Sequence, residues 1–298
     1  MKLQGTYTAI ISPFRQDESF DFEAFEKLLK RQIDAGIAGV VVLGTTGEAP
    51  TVDIEETVDV LSFAKEVAGE KLDVIVGLTS NSTKTLTKNV AKINSVRPSA
   101  ILSATPYYNK PTQKGIVEHF TRLADATALP IVLYNVPSRS GANINPETVA
   151  ELAGIPHVVG VKEASGNLAQ VREILESVPT SFSVLSGNDD QNVEVVKLGG
   201  RGTISVASNV IPGHVKRVID AALAGDFESA ESIDKPFADF YKDIFIENNP
   251  QAVKTLLAHL GLCREVFRLP MTTMLPENKE RVIASWAAVE MFLPAAKP

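Results

Sequence analysis

A single cysteine, Cys263, is all the thiol chemistry this chain carries. One thiol cannot close an intrachain disulfide, so a reducing compartment fits and the expected location is the cytoplasm. The four histidines, His119, His157, His214 and His259, lie far apart and never in a spacing such as HExxH. Neither a zinc site nor a histidine-based triad is signalled by local motif, so no metal is expected. No apolar run approaches the roughly 18 residues of a membrane span. No basic start leads into an apolar stretch and a small-residue cleavage site, so no membrane partner or leader is expected. A basic excess is missing too: the net charge is −7. That argues against the basic stripe of a nucleic-acid-binding surface, though not against a small local pocket for an anion. No GxGxxG follows a strand pattern and no Walker A motif occurs, which leaves nucleotide binding unsupported. Low-complexity segments are absent.

What is present is a core's worth of apolar residues, 44% of 298, arranged in one repeating unit. A short β-branched run comes first, then turn chemistry, then an amphipathic stretch of about 12 residues. The expected strands are Thr6–Ile11, Gly39–Leu43, Asp73–Gly77, Ala100–Ser103, Ile131–Asn135, Val158–Lys162, Phe182–Ser186 and Gly202–Val206. Their near-continuous apolarity suits parallel strands covered on both faces. Helix boundaries are marked by Asp21 ahead of Phe22, Phe25, Leu28 and Leu29, by Gly36 after them, by Asn81-Ser82-Thr83, and by Asn145-Pro146-Glu147, which reads as an N-cap followed by proline at the first helical position. Eight such units favour an α/β fold closed as a (β/α)8 TIM barrel over an open doubly wound sheet, although counting strands does not prove closure. After Ala224 the alternation stops. Helical stretches Phe227–Glu247, Pro250–Leu260 and Glu277–Phe292 follow. The expected division is a catalytic barrel over 1–225 and a small C-terminal helical domain over 226–298.

A barrel of this kind works at the C-terminal ends of its strands, so the residues there carry the functional reading. The second strand ends in Gly44-Thr45-Thr46-Gly47-Glu48, either a plain turn or a cradle of hydroxyls and exposed N–H groups for a carboxylate. The fourth ends in Thr105-Pro106-Tyr107-Tyr108, where two adjacent tyrosines serve proton transfer, interface packing or both. The fifth ends in Tyr134, with Arg139 five residues on, suited either to a structural ion pair or to bidentate capture of a carboxylate. The sixth ends in Lys162. A lysine there either snorkels to the rim or points into a water-poor mouth. In the second case desolvation disfavours the ammonium and leaves an amine able to attack a carbonyl. Ser186-Gly187-Asn188 and Gly202–Val206 complete the rim. The run Gly199-Gly200-Arg201-Gly202 precedes the eighth strand, on the opposite face, and reads as a turn rather than a phosphate loop.

Taken together, these residues resemble the pyruvate-dependent class I aldolase family that includes dihydrodipicolinate synthase and N-acetylneuraminate lyase. The resemblance runs from Gly5 to about Val210 and into the helical tail. Gly44-Thr45-Thr46-Gly47-Glu48 looks like the family's pyruvate-carboxylate loop, Tyr134 like its proton-transferring tyrosine, and Lys162 in Gly160-Val161-Lys162-Glu163-Ala164 like its Schiff-base lysine. Thr46, Tyr107-Tyr108 and the stretch Tyr134 to Arg139 resemble the synthase branch. The resemblance implies condensation of pyruvate with L-aspartate-4-semialdehyde in lysine and diaminopimelate biosynthesis, with no cofactor. It implies catalytic roles for Lys162, Tyr134, Thr45 and Tyr108. Substrate contacts are implied for Thr46, Arg139, Gly187 and the backbone of Ile204. Tyr107 and Tyr108 would lie at a subunit interface, Tyr108 reaching a neighbour's site in a homotetramer built as a dimer of dimers. Lysine-inhibited members often carry histidine and glutamate where this chain has Thr57 and Thr85, while Asn81 and Tyr107 are present, which implies weak or absent feedback by lysine. Two other readings stay open on the residues: a retro-aldol lyase for a sugar acid, and a keto-acid-binding barrel without turnover.

Overall fold

In a computed structural model describing residues 2–293, eight strands run parallel and close on themselves in chain order. They are β1 (Gly5–Ala9), β2 (Gly39–Val42), β3 (Asp73–Gly77), β4 (Ala100–Ala104), β5 (Ile131–Asn135), β6 (Val158–Glu163), β7 (Ser183–Ser186) and β8 (Gly202–Ser205). The expected α/β barrel is therefore the fold, and the open sheet is excluded by the β1–β8 ladder, which pairs Gly5 with Gly202 and Thr8 with Ser205.

Side-chain alternation divides each strand between two apolar layers, since successive Cβ atoms point to opposite faces. Val41, Val132, Tyr134, Leu185 and Ile204 fill the barrel interior, whereas Val40, Val42, Ile131, Leu133, Val161 and Val184 meet the surrounding helices. Lys162 follows the outward Val161, so the same parity turns it inward. Closure at the N-terminal face explains the glycine that opens β8. Gly202 has φ +138°, and a Cβ there would sit 2.0 Å from the Gly5 carbonyl oxygen. Only glycine lets β1 and β8 approach so closely.

Helix starts are fixed by side-chain caps, each accepting from an otherwise orphaned N–H. Asp21 accepts from Ala24, Asp53 from Glu56, Ser82 from Thr85 and Thr112 from Gly115. Asn145 departs from its expected role. Pro146 does open the helix Pro146–Ala153, but the Asn145 side chain makes no cap and instead accepts from Asn143 Nδ2 at 3.2 Å. The expected helix Phe227–Glu247 is also broken. Pro236 lacks an N–H and interrupts the ladder, giving helix Phe227–Asp234, a 3-10 turn Lys235–Phe237 and helix Ala238–Asp243. Helices Gln251–His259 and Pro276–Glu290 complete the C-terminal segment.

Phe237, Phe240, Val253, Leu256 and Trp286 of that segment belong to the same continuous apolar cluster as the outer layer of the barrel. Polar ties reach further. Lys254 pairs with Glu48, and Arg268 binds Glu56 through both of its terminal nitrogens. These contacts bring Asn249 over the end of β2. Residue 1 and residues 294–298, the outer limits of the two expected domains, lie outside the described residues. None of the helices among those residues is long and apolar enough to cross a membrane.

Candidate active site

Parallel closure gathers the strand ends on one face, and a cavity of about 160 Å³ opens there. Its walls include Thr45 and Thr46 after β2, Tyr134 from β5, Arg139, Lys162 from β6, Gly187 after β7 and Val206 after β8. Lys162 is 4% exposed. It stands opposite Tyr134 in the β5–β6 register, with Nζ 4.6 Å from the centre of the tyrosine ring. This is the inward orientation rather than the snorkelling one.

Hydrogen bonds immobilise the strand end behind Lys162. The buried carboxylate of Glu163 accepts from the Ser165 N–H at 2.7 Å, from Asn135 Nδ2 at 2.9 Å and from Gln170 Nε2 at 3.2 Å. The Gly187 N–H donates to the Glu163 carbonyl at 2.7 Å, and a Cβ on Gly187 would lie 2.5 Å from the Ala164 Cβ. The absence of a side chain at Gly187 is what allows β7 to follow β6 into the wall of the cavity.

A second carboxylate organises the chain after β8. Asp189 is buried and accepts from the Ser205 hydroxyl, from the Val206 N–H at 3.0 Å and from the Ala207 N–H at 2.9 Å. Burial pushes its carboxyl above the usual range, and these hydrogen bonds oppose that shift. They hold Val206 in the cavity wall.

The threonine loop is anchored at both ends. Gly47 O accepts from the Ser12 hydroxyl at 2.7 Å, and Thr46 Oγ1 accepts from Asn249 Nδ2 at 2.9 Å. Glu48, in a left-handed conformation at φ +52°, turns its carboxylate away to Lys254 and to the Arg268 N–H. Thr45 is left lining the cavity with Lys162 and Tyr134.

Among the other expected site residues, Arg139 sits in the short helix Pro137–Ser140, exposed at the mouth. It makes no ion pair within 4.0 Å among the described residues, against the structural alternative. Tyr107 lines a larger neighbouring cavity of about 410 Å³ that shares Thr45, Tyr134, Arg139 and Asn249 with the smaller one. Tyr108 is 88% exposed, at φ +72°, and lines neither cavity of its own chain. Ile204 is packed in the interior layer beside Tyr134 and Leu185, and the cavity wall at β8 is Val206 instead. The contact expected of Ile204 is through its backbone, and the Val206 side chain stands one alternation further along, where the chain leaves the strand. Val206, expected on the rim at the end of the eighth strand, lines the cavity, as do Phe245 and Asn249, which sequence reasoning missed. Phe245 falls in the stretch expected to be helical, but both it and Asn249 lie in irregular chain after Asp243. The pair Asn249-Pro250, a turn signature, was the single local hint.

A buried amine facing a phenol, with hydroxyls and a guanidinium around a cavity of this size, can form an imine with a small keto acid and move protons on it. The model of the dihydrodipicolinate synthetase family matches residues 2–288. A relative from Alkaliphilus oremlandii (strain OhILAs), named 4-hydroxy-tetrahydrodipicolinate synthase, is 43% identical over 280 residues, 94% of this chain and 96% of that one. The crystal structure of dihydrodipicolinate synthase from Aquifex aeolicus superposes with a TM-score of 0.94 at 40% identity, covering 98% of this chain and 99% of that one. A monomeric dihydrodipicolinate synthase variant gives 0.94 at 35% identity, covering 97% of each chain.

Proposed function

The chain belongs to the dihydrodipicolinate synthetase family, and from that membership we propose that it condenses pyruvate with L-aspartate-4-semialdehyde to 4-hydroxy-tetrahydrodipicolinate through a Schiff base on Lys162. The product places it in lysine and diaminopimelate biosynthesis. In this reading the Lys162 amine attacks the ketone of pyruvate, and loss of water gives the imine. A proton then leaves the pyruvate methyl group, and the resulting enamine carbon attacks the aldehyde. The amino group of the semialdehyde closes on the imine carbon and releases Lys162. The protonated imine itself is the electron sink, so the scheme calls for no added cofactor.

Tyr134 and Thr45 carry protons between these steps, Thr46 holds the pyruvate carboxylate, and Arg139 receives the carboxylate of the semialdehyde. Gly187 lets the ligand approach the backbone. Tyr108 projects from its own chain, so its proton-relay role requires a partner subunit, and the pairing we propose is a dimer completed by tyrosine exchange, doubled into a homotetramer. The cytoplasm is the compartment this chemistry and the lone cysteine suit. Thr57 and Thr85 leave the proposed lysine feedback weak or absent. A clamp of one guanidinium over a small cavity favours a short acidic substrate over a sugar-acid polyol.

The observation that carries the reading is the burial of Lys162 against Tyr134 in the cavity bounded by Thr45 and Thr46. Borohydride reduction in the presence of pyruvate tests it. Mass spectrometry is expected to find the reduced adduct on the peptide holding Lys162, and an unmodified peptide overturns the mechanism. Sedimentation velocity at micromolar protein tests the assembly separately, with a monomer contradicting the tyrosine exchange.

A further inference from the structure

Asn249 enters the cavity from the C-terminal segment, 203 residues from the threonine it touches. Its side chain is buried, and only half of its amide is satisfied. Nδ2 donates to Thr46 Oγ1 at 2.9 Å, while Oδ1 has no partner among the described residues. A buried amide oxygen without a partner is unfavourable, and such a group in a cavity wall is the kind that a ligand or a bound water satisfies.

The donated hydrogen bond has a consequence for Thr46. A hydroxyl has one hydrogen and two lone pairs. With one lone pair taken by the Asn249 amide, the Thr46 hydrogen has no reason to turn toward Asn249 and is left to be given to another acceptor. A substrate carboxylate is the strongest acceptor the cavity would receive, and a hydrogen bond to a charged group is worth more than a neutral one. A side chain presenting an acceptor to Thr46 instead would draw that hydrogen away.

We infer that Asn249 is a positioning residue for the keto-acid carboxylate, acting through Thr46 by fixing its hydroxyl as a donor into the cavity. The inference rests on the proposed reading of Thr46 as a carboxylate ligand. It assigns part of substrate selection to the C-terminal segment, because the carboxylate site is incomplete without a residue from beyond the barrel.

The test compares the wild-type protein with Asn249→Ala, the isosteric Asn249→Asp, Thr46→Val and the double variant Thr46→Val/Asn249→Ala. Each is assayed for pyruvate KM and kcat, and for borohydride trapping on Lys162 with pyruvate and with its uncharged methyl ester. Losing a charge-assisted hydrogen bond predicts a pyruvate KM raised about tenfold in Asn249→Ala and at least as much in Asn249→Asp. Trapping of methyl pyruvate should stay within about twofold, because the amine is untouched and the ester carries no charge for Thr46 to hold. In the Thr46→Val background, adding Asn249→Ala should change the pyruvate KM no further, as expected of two residues acting as one unit. Unchanged or lowered KM in both Asn249 variants, additive losses in the double variant, or equal loss of trapping for pyruvate and its ester would each overturn the inference. Failure of the wild-type protein to trap pyruvate at all would instead remove the Schiff-base reading.

Discussion

Lys162 Nζ stands 4.6 Å from the centre of the Tyr134 ring, and the two residues face each other across the β5–β6 ladder. The contact is to the ring, so it survives removal of the phenolic oxygen. Tyr134→Phe should therefore keep Lys162 packed and competent to form the pyruvate adduct, while losing the proton carrier. Positioned acid–base groups contribute roughly 10²–10⁴ to rate, so kcat should fall by about that factor with the borohydride adduct still forming. Wild-type turnover in the phenylalanine variant would remove Tyr134 from the proton path.

Arg139 is exposed at the cavity mouth, held by the short helix Pro137–Ser140 and paired with no acid within 4.0 Å among the described residues. A planar fork at that place suits a second carboxylate better than a lysine ammonium does. Arg139→Lys should raise KM for aspartate-4-semialdehyde by about tenfold or more, the loss of one charge-assisted contact. Pyruvate trapping on Lys162 should be unaffected. Equal effects on both substrates would assign Arg139 to the pyruvate half of the site.

The strands and the strand-end residues Thr45, Tyr134 and Lys162 were legible because a parallel barrel repeats one unit and gathers its chemistry on one face. Tyr134 and Lys162 needed only the alternation of β5 and β6 to be placed inward. Val206 was legible as the last residue of the expected eighth strand on the rim, although it lies just past the end of β8, where the Asp189 carboxylate sets the chain. Asn249 and Phe245 lie in irregular chain whose position depends on how the C-terminal helices pack. Pro236 was visible in the sequence, but the apolar spacing around it masked the break it causes. The ion pair of Glu48 with Lys254 spans 206 residues, a separation at which no local pattern points to a partner.

That pair gives a stability prediction. The Lys254 ammonium is fully buried between the rings of Phe14 and Phe267, at 4.4 and 4.8 Å from their centres, and it contacts the buried Glu48 carboxylate. Burial lowers the lysine pKa, and Glu48 opposes that shift. Replacing Lys254 with Met preserves volume but strands an uncompensated carboxylate, so stability should drop by about 3–5 kcal/mol. Adding Glu48→Gln should recover part of it. Urea unfolding of the two variants checks this, and a Lys254→Met protein as stable as wild type would mean that Glu48 finds water or a proton instead.

His119 supplies the pH dependence. It is buried on the helix Gln113–Asp125, with Nδ1 2.9 Å from the Thr83 hydroxyl and Nε2 without a partner among the described residues. Burial disfavours the imidazolium and lowers its pKa from 6.5 to about 4. Between those values the unfolded chain carries a proton at this position that the folded chain refuses, so unfolding takes up a proton and stability falls as pH falls. The contribution is fully present above pH 6.5 and is lost progressively toward about pH 4. A shift of this size corresponds to roughly 3 kcal/mol. His119→Leu removes the titration while keeping an apolar side chain in the site. The difference in unfolding free energy between wild type and variant should be constant above pH 6.5 and move in favour of the variant by about 3 kcal/mol on acidification to pH 4. A difference that stays flat across that window would mean that the folded protein protonates His119 as readily as the unfolded chain does.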